Sequence, residues 1–415
     1  MKKLLTILGS MILVTSTTAT LVACGGGNGG ENSYNPSDYK YDVKEVLPAK
    51  EGGGVVPIEF NNNLYAYSEN EIYKLDTEND TYEKLLDVEG NNIIEHIITD
   101  ALVFSNKLYI IDAESNFFYV DMGGDSLNKI TVELPENNTI DNEHTLITDK
   151  YVLFSAKYQK EKIWFVMDDV GSFSEVGFKL NDGTTIESTS EIIIDNGKVF
   201  FWDKKNDVES INYFLISDLG KQEVEVINLF SAPPTTTGNL NDIVGFFVLD
   251  KKLFFTHRSY GLGIDTTYNT YFLDLDKFSG EVHKAGFDIP IEPDGTRYQF
   301  QKNDFILLQT NEGLMKYFSN GDHELIKKAK SNKYYFGLNN EDIYLFQKTK
   351  LDDGEVKLEI SILPEEGNFN NPLLITTLHG GSSYGVNMAF KNKLYFEVFI
   401  NGAGFLYSIE ETKIN

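Results

Sequence analysis

The chain of 415 residues has a single cysteine, Cys24, so no disulfide can form within it and the folded part is held by packing alone. Arginine is almost as scarce, with Arg258 and Arg297 the only two among 36 basic residues. No stretch carries the 3.6-residue apolar period of a long amphipathic helix, which argues against a helical solenoid. Beyond residue 24 no apolar run is long enough to cross a bilayer. Catalytic signatures are missing as well: there is no GxSxG, no HExxH, no Walker loop and no GxGxxG phrase opening a helix. The glycine-rich run EGGGVV from Glu51 leads into a strand pattern and reads as a linker. The six histidines, His96, His144, His257, His283, His323 and His379, are dispersed with no pair at metal-ligand spacing. Positive charge is in deficit too, giving a formal net charge of −27. Nucleic acid and anionic headgroups are disfavoured as partners for such a chain, and the acidity itself keeps an exported protein soluble.

What is present begins at the amino terminus. Lys2 and Lys3 precede an apolar run over residues 4–22, which closes on Leu21-Val22-Ala23-Cys24 and then three glycines. Two cations, an apolar segment and a small residue before a lone cysteine are the features of a lipoprotein export signal. Cleavage before Cys24 leaves a mature chain that starts with its only thiol and has a formal net charge of −29, since Lys2 and Lys3 depart with the leader. A diacylglycerol on that sulfur supplies two acyl chains at about 0.8 kcal/mol per buried CH₂, which suffices for stable anchoring, and lipidation also removes the thiol from catalysis. The competing reading, an uncleaved transmembrane anchor, is weakened by Thr6, Ser10, Thr15, Ser16, Thr17, Thr18 and Thr20, which dilute the run. The wording MKKLLTILGSMILV…LVACGGGN resembles the leader of surface lipoproteins of wall-less mollicutes, and the arginine-poor composition agrees. That resemblance covers the first thirty residues. It implies the outer face of a single bounding membrane and no particular activity.

The organisation read from the chain is therefore a signal peptide over residues 1–23, a lipidated cysteine with a Gly/Asn-rich tether over 24–38, and one domain over 39–415. A Gly-rich coil of this length has an r.m.s. reach of about 20 Å.

Within the domain a short phrase recurs eight times, at Leu64, Leu108, Val152, Val199, Leu253, Ile306, Ile343 and Leu394. The mean interval is close to the period of propeller blades. Each phrase is preceded by an apolar run, and most are followed by an aromatic and aliphatic run closing on a turn and then by a short alternating segment. That makes four strands per unit, separated by Asn, Asp, Gly and Lys turns. Continuous runs such as Phe200-Phe201-Trp202 suit strands covered on both faces. The fold class expected is thus all-β, a single β-propeller of eight four-stranded blades, with seven as the alternative. The last unit lacks a fourth strand, and the segment Tyr39 to Leu47, YDVKEVL in its centre, is expected to supply it and close the ring.

Propellers bind ligands at the face carrying the loops between second and third strands and between blades. The longest such stretches here are 231–242, 257–269 and 288–295. They place Arg258 and Arg297 near one face, with His257, Tyr260, Tyr268 and Tyr298 close in sequence. Arginine matches carboxylate or phosphate and stacks on aromatic rings, so these six residues form a candidate site for an anionic or sugar-like ligand. In the alternative each arginine pairs with a local acid, such as Asp265 or Glu292, and fixes its loop. Acidic turns at 76–80, 274–276 and 352–354 hold oxygen ligands of the kind calcium prefers, without matching an EF-hand loop, and calcium is not favoured. No catalytic residue, metal ligand or cofactor other than the diacylglycerol is assigned. The function expected is a membrane-anchored extracellular lipoprotein presenting a propeller to an unidentified ligand or protein. The rivals are a carbohydrate-active hydrolase, marked by converging carboxylates with raised pKa, and an accessory subunit of a membrane complex, marked by a broad apolar patch.

Overall fold

Turn chemistry sets the fold. Ahead of the repeated phrase, Asn61-Asn62, Ser105-Asn106, Asn196-Gly197, Asp250-Lys251 and Lys391-Asn392 each place two successive residues at positive φ, between 45° and 74°. That is the two-residue hairpin geometry whose twist matches flanking strands, and Asn, Asp and Gly tolerate it best. The third-to-fourth strand turns use carboxylates instead. Asp76 accepts hydrogen bonds from the backbone N–H groups of Glu78 (3.0 Å) and Asn79 (3.2 Å), and Asp274 from that of Lys277 (2.9 Å). The acids at these two turns thus serve to close them.

The computed structural model describes residues 39–414 apart from 52–53, 80, 133–138, 159–160, 181–189, 206–207, 235–239, 262–263, 291–299, 303–304, 311–312, 328–332, 340–341, 351–355, 364–372, 383–386 and 401–402. The fold is all-β, a β-propeller, and the only helix among the described residues is the single 3₁₀ turn Ile216–Asp218. The strands fall into antiparallel four-stranded units with sequential neighbours paired, as in Val56–Phe60, Asn63–Ser68, Glu71–Asp76 and Thr81–Lys84. Further units follow over 98–130, 139–180, 190–231, 240–284, 300–327 and 333–379. The last consists of Asn387–Phe390, Lys393–Ile400 and Ala403–Lys413, with Gly381–Ser382 also on its second strand. Every copy of the repeated phrase lies on the second strand of its unit.

The fourth strand of that last unit comes from the other end of the chain. Tyr39–Glu51 pairs antiparallel with Ala403–Lys413, from Tyr39 opposite Lys413 to Glu51 opposite Ala403. It runs four residues past Leu47, where sequence placed its end. Glu51 of the EGGGVV run is therefore strand rather than linker, and the register shifts beside Leu47 let the longer pairing continue.

Hydrophobic clusters lie between consecutive units. Leu64 and Ala66 pack against Tyr395 and Leu406 of the last unit, whereas Tyr65 and Tyr67 pack against Ile98 and Leu108 of the second. Phe200 and Phe201 divide in the same way between the fifth and third units. Adjacent residues of one strand thus serve different interfaces, so both faces must be apolar and the alternation vanishes from the sequence. Full burial of each such side chain contributes roughly 1.5–3 kcal/mol. Ring pairs add orientation to these seams: Phe117 meets Phe154 edge-on at 5.8 Å between the second and third units, and Phe346 meets Phe396 at 5.1 Å between the seventh and last. One seam differs. The outer strands Phe173–Leu180 and Glu223–Ser231 pair in parallel, from Gly177 opposite Glu223 to Leu180 opposite Val226, and join the third and fourth units into one eight-stranded sheet.

Strand direction gives the fold two distinct ends. One, the turn end, carries the hairpins between first and second and between third and fourth strands. The other, the linker end, carries the second-to-third turns and the connections between units.

Candidate functional site

The second strands are apolar where they leave the turn end and become polar three or four residues later. Ser68, Ser155, Asp203, His257, Gln347 and Glu397 all occupy this zone and all are buried. Polar side chains are thereby gathered toward the linker end, where first strands of adjoining units begin.

In the fifth unit this zone contains the arginine singled out from sequence. Residues 257–269, expected as a loop, are mostly strand, because Lys252–Gly261 and Ile264–Asp274 form a long hairpin with Arg258 opposite Tyr268. The first strand, Leu240–Leu249, flanks it on the other side with Asp242 opposite Arg258 and Asn241 opposite Ser259. Arg258 is 7% exposed. Its Nε donates to Asp242 Oδ1 at 3.0 Å and its Nη2 to Asp242 Oδ2 at 2.6 Å, a bidentate fork, and its guanidinium lies 4.1 Å from the Tyr260 ring centre. Burial works against the guanidinium's charge, but the Asp242 carboxylate more than offsets this and holds its pKa above the usual value. The acid meeting Arg258 is therefore Asp242 on the neighbouring strand, where sequence reading had named Asp265 and Glu292.

His257 faces the other side of the hairpin. Its Nε2 lies 3.2 Å from Asn241 Oδ1, which also accepts from the Ser259 hydroxyl at 2.8 Å, and burial lowers its pKa. Structure thus sets Arg258, Tyr260 and Tyr268 on one face of the hairpin and His257 on the other. Arg297 and Tyr298 lie outside the described residues. Because the Arg258 fork is already engaged, removing one partner strands a charge: Arg258→Ala is expected to cost on the order of 3 kcal/mol, and chemical denaturation of Arg258→Ala, Asp242→Ala and the double variant measures the coupling. Additive losses would show the pair to be uncoupled.

Three further carboxyls in this zone escaped sequence reading. Glu209 is the second residue of the third strand of the fourth unit, Val208–Leu215, and accepts a hydrogen bond from the backbone N–H of Ile243 in the fifth. Burial, with nearby Asp242, raises its pKa. Glu397, 3% exposed, accepts from the backbone N–H of Val55 at 2.7 Å, 342 positions away in sequence, tying the last unit to the entry of the first. Gly54 is what permits the approach, since a Cβ there would collide with Glu397 Oε1. Asp100, 2% exposed, stands on the first strand of the second unit beside a register shift that re-aims it. It accepts from Ala101 N–H at 2.8 Å and from the Thr145 hydroxyl at 3.2 Å in the third unit. Burial pushes Asp100 and Glu397 each up to about 7. Tyr67 lies within electrostatic reach of both, and burial, reinforced by these two carboxyls, holds its hydroxyl well above the usual tyrosine pKa. A charged residue inside an apolar run, as in ITDALVF, was the available signal for Asp100, and the third or fourth place after the repeated phrase was the signal for Glu397 and Asp203.

Among the described residues no group of three or more His, Cys, Asp or Glu side chains converges to hold a metal ion. Two open clefts, of about 360 and 520 Å³, lie at the turn end. The first runs between Phe254, Phe287 and Gly321, the second between Lys74, Tyr82 and Lys391, and neither is lined by Arg258. The bonds just described are therefore chiefly ties between units, with polar groups of the fifth unit at their rim.

No family model matches the chain, and no curated protein matches it either. Among solved structures it is similar to the computationally designed Ika8 protein, with 11% identity, 88% of this chain and 99% of that chain covered and a TM-score of 0.51. It is also similar to the β-propeller domain of the Trilobed protease from Pyrococcus furiosus, with 11% identity, coverages of 88% and 98% and a TM-score of 0.44. A third similarity is to YCF48 bound to D1 peptide, with 11% identity, coverages of 90% and 95% and a TM-score of 0.43. At such identities the likeness to the designed protein is one of fold.

Proposed function

We propose that this chain is an exported lipoprotein, anchored through diacylglycerol on Cys24 to the outer face of the cell membrane, which presents a propeller ring of eight blades as a scaffold for binding an extracellular ligand or protein. The observation that carries the reading is the pairing of an export and lipidation signature, Leu21-Val22-Ala23-Cys24, with an all-β propeller fold. The grouping of strands into four-stranded units and the N-terminal strand on the last of them support the closed ring of eight. The linker end around Arg258, Tyr260 and Tyr268, with His257 on the other face of the same hairpin, is the recognition surface in this reading, and Arg297 and Tyr298 are the further candidates named from sequence. With the Arg258 fork held by Asp242, a sugar-like group able to stack on the tyrosine rings is the ligand class that suits this surface.

A hydrolase reading draws on one specific observation, the neutral-range pKa of Asp100 and Glu397. Their near-complete burial and their bonds to Val55, Ala101 and Thr145 favour a structural duty instead.

Replacing the anchor residue tests the reading directly. Cys24→Ala is expected to move the protein from the detergent-soluble membrane fraction to the aqueous phase, or to leave an unprocessed precursor, with the unfolding midpoint of the purified domain unchanged. Membrane partition identical to that of the natural protein would sink the lipid-anchor proposal.

A further inference from the structure

We infer that the turn end rests on the bilayer surface and the linker end points outward, so that the domain is held in one orientation; the inference builds on the proposed anchoring at Cys24. The argument starts from where the chain enters. Tyr39 opens the fourth strand of the last unit, opposite Lys413, and fourth strands begin at the turn end. The segment from Cys24 to residue 38 thus attaches to the domain at that end. Its composition gives a reach of about 20 Å, while a folded domain of this size is about 50 Å across. Turning the linker end to the membrane would require the tether to stretch along the side of the domain, at an entropic cost that the opposite orientation avoids.

Surface chemistry follows the same polarity. Val103, Met122, Val170, Leu215, Leu374 and Ile414 are all exposed and all lie at or beside the turn end, with Val170 80% and Met122 50% exposed. Val103 and Met122 belong to the second unit and Val170 to the third, and the two units touch where the Ser105 hydroxyl donates to Asp169 O at 2.8 Å beside Val170. Among the described residues the exposed large apolar groups at the linker end are Val88, Ile97 and Leu240. Some charges at the turn end are paired, as in Lys107 with Asp121 at 3.8 Å and Lys251 with Asp276 at 3.1 Å, and exposed acids such as Glu78, Asp149, Asp169 and Asp322 stand beside them. Exposed apolar side chains among acidic turns suit the interface of an uncharged or zwitterionic bilayer, where each inserted side chain gains by leaving water. The acidic chain as a whole opposes an anionic one.

The lone natural thiol makes the test clean, because lipid occupies Cys24 in the processed protein. Val170→Cys and Met122→Cys at the turn end, and Val88→Cys and Ile97→Cys at the linker end, each carry one fluorescent label. The full-length lipidated protein is reconstituted into phosphatidylcholine vesicles containing headgroup spin-labelled lipid. Quenching several-fold stronger at residues 122 and 170 than at 88 and 97 is the expected result. Equal quenching at the two ends, with the protein still floating with the vesicles, overturns the orientation and leaves the anchor standing. Failure of the lipidated preparation to float overturns the anchor reading and this inference with it.

Discussion

Lowering the pH from about 8 to about 5.5 is expected to raise the unfolding temperature by several degrees, the reverse of ordinary acid destabilisation. Asp100 and Glu397 titrate near 7 in the folded protein but at the ordinary values of 3.8 and 4.5 when exposed. A carboxyl with a raised folded pKa binds more protons folded than unfolded, so its stabilising contribution is complete below about 4 and is lost as the pH rises through about 7. Each group is worth on the order of 3 kcal/mol across that span. Burial raises Glu209 in the same direction. His257 opposes them: burial lowers its pKa, so its cost begins once the pH falls below about 6.5, but it is one group against several. Asp76 and Asp87, lowered by hydrogen bonds in exposed turns, act only in more acidic solution. Calorimetry across this range checks the sign. Glu397→Gln keeps an oxygen for the Val55 N–H while discarding the charge, and should remove part of the slope and stabilise the protein at about pH 8. A midpoint that falls on acidification would refute the assignment.

Deleting Tyr39–Glu51 is expected to have the largest effect of any alteration considered. The strand holds Val46 and Leu47, buried against Val55, Tyr73 and Leu406, and supplies the outer edge of the last unit. Its loss exposes that apolar cluster and leaves Ala403–Lys413 as a bare, eleven-residue edge able to pair with another chain. The expected product is aggregated or loosely folded, detected as lost near-ultraviolet circular dichroism and self-association in sedimentation. A graded control is Leu47→Ala, which should cost about 2–5 kcal/mol without loss of the native spectrum. A soluble, monomeric deletion product with unchanged thermal stability would mean that the strand closes nothing.

Much of this architecture was legible in the chain, for a physical reason. Two-residue turns demand left-handed backbone, so Asn, Asp and Gly mark each hairpin, and the second strand behind it must be apolar on both faces; Leu64 through Leu394 repeat this sign. The N-terminal strand was visible because a unit without a fourth strand leaves an edge unsatisfied. The polar centre was not legible to the same degree. Arg258 stood out through rarity, yet its partner Asp242 is merely one of 63 acids, identified only when pairing of the first and second strands sets the two opposite each other. Glu397 looked ordinary because its meaning depends on Val55 and Gly54, brought to it by the meeting of the chain's two ends. Loop length misled at 257–269, since a long hairpin and a long loop have the same composition when the strand residues are polar.

The parallel pairing of Phe173–Leu180 with Glu223–Ser231 also makes the propeller mechanically uneven. At the other seams neighbouring blades adhere mostly through side chains, with a single parallel bridge between Leu86 and Ser126 at the first. At this one the backbones themselves are stitched, so separation means shearing several hydrogen bonds at once. The third and fourth blades therefore behave as a double-width plate. Opening of the propeller is thus expected at a seam other than this one.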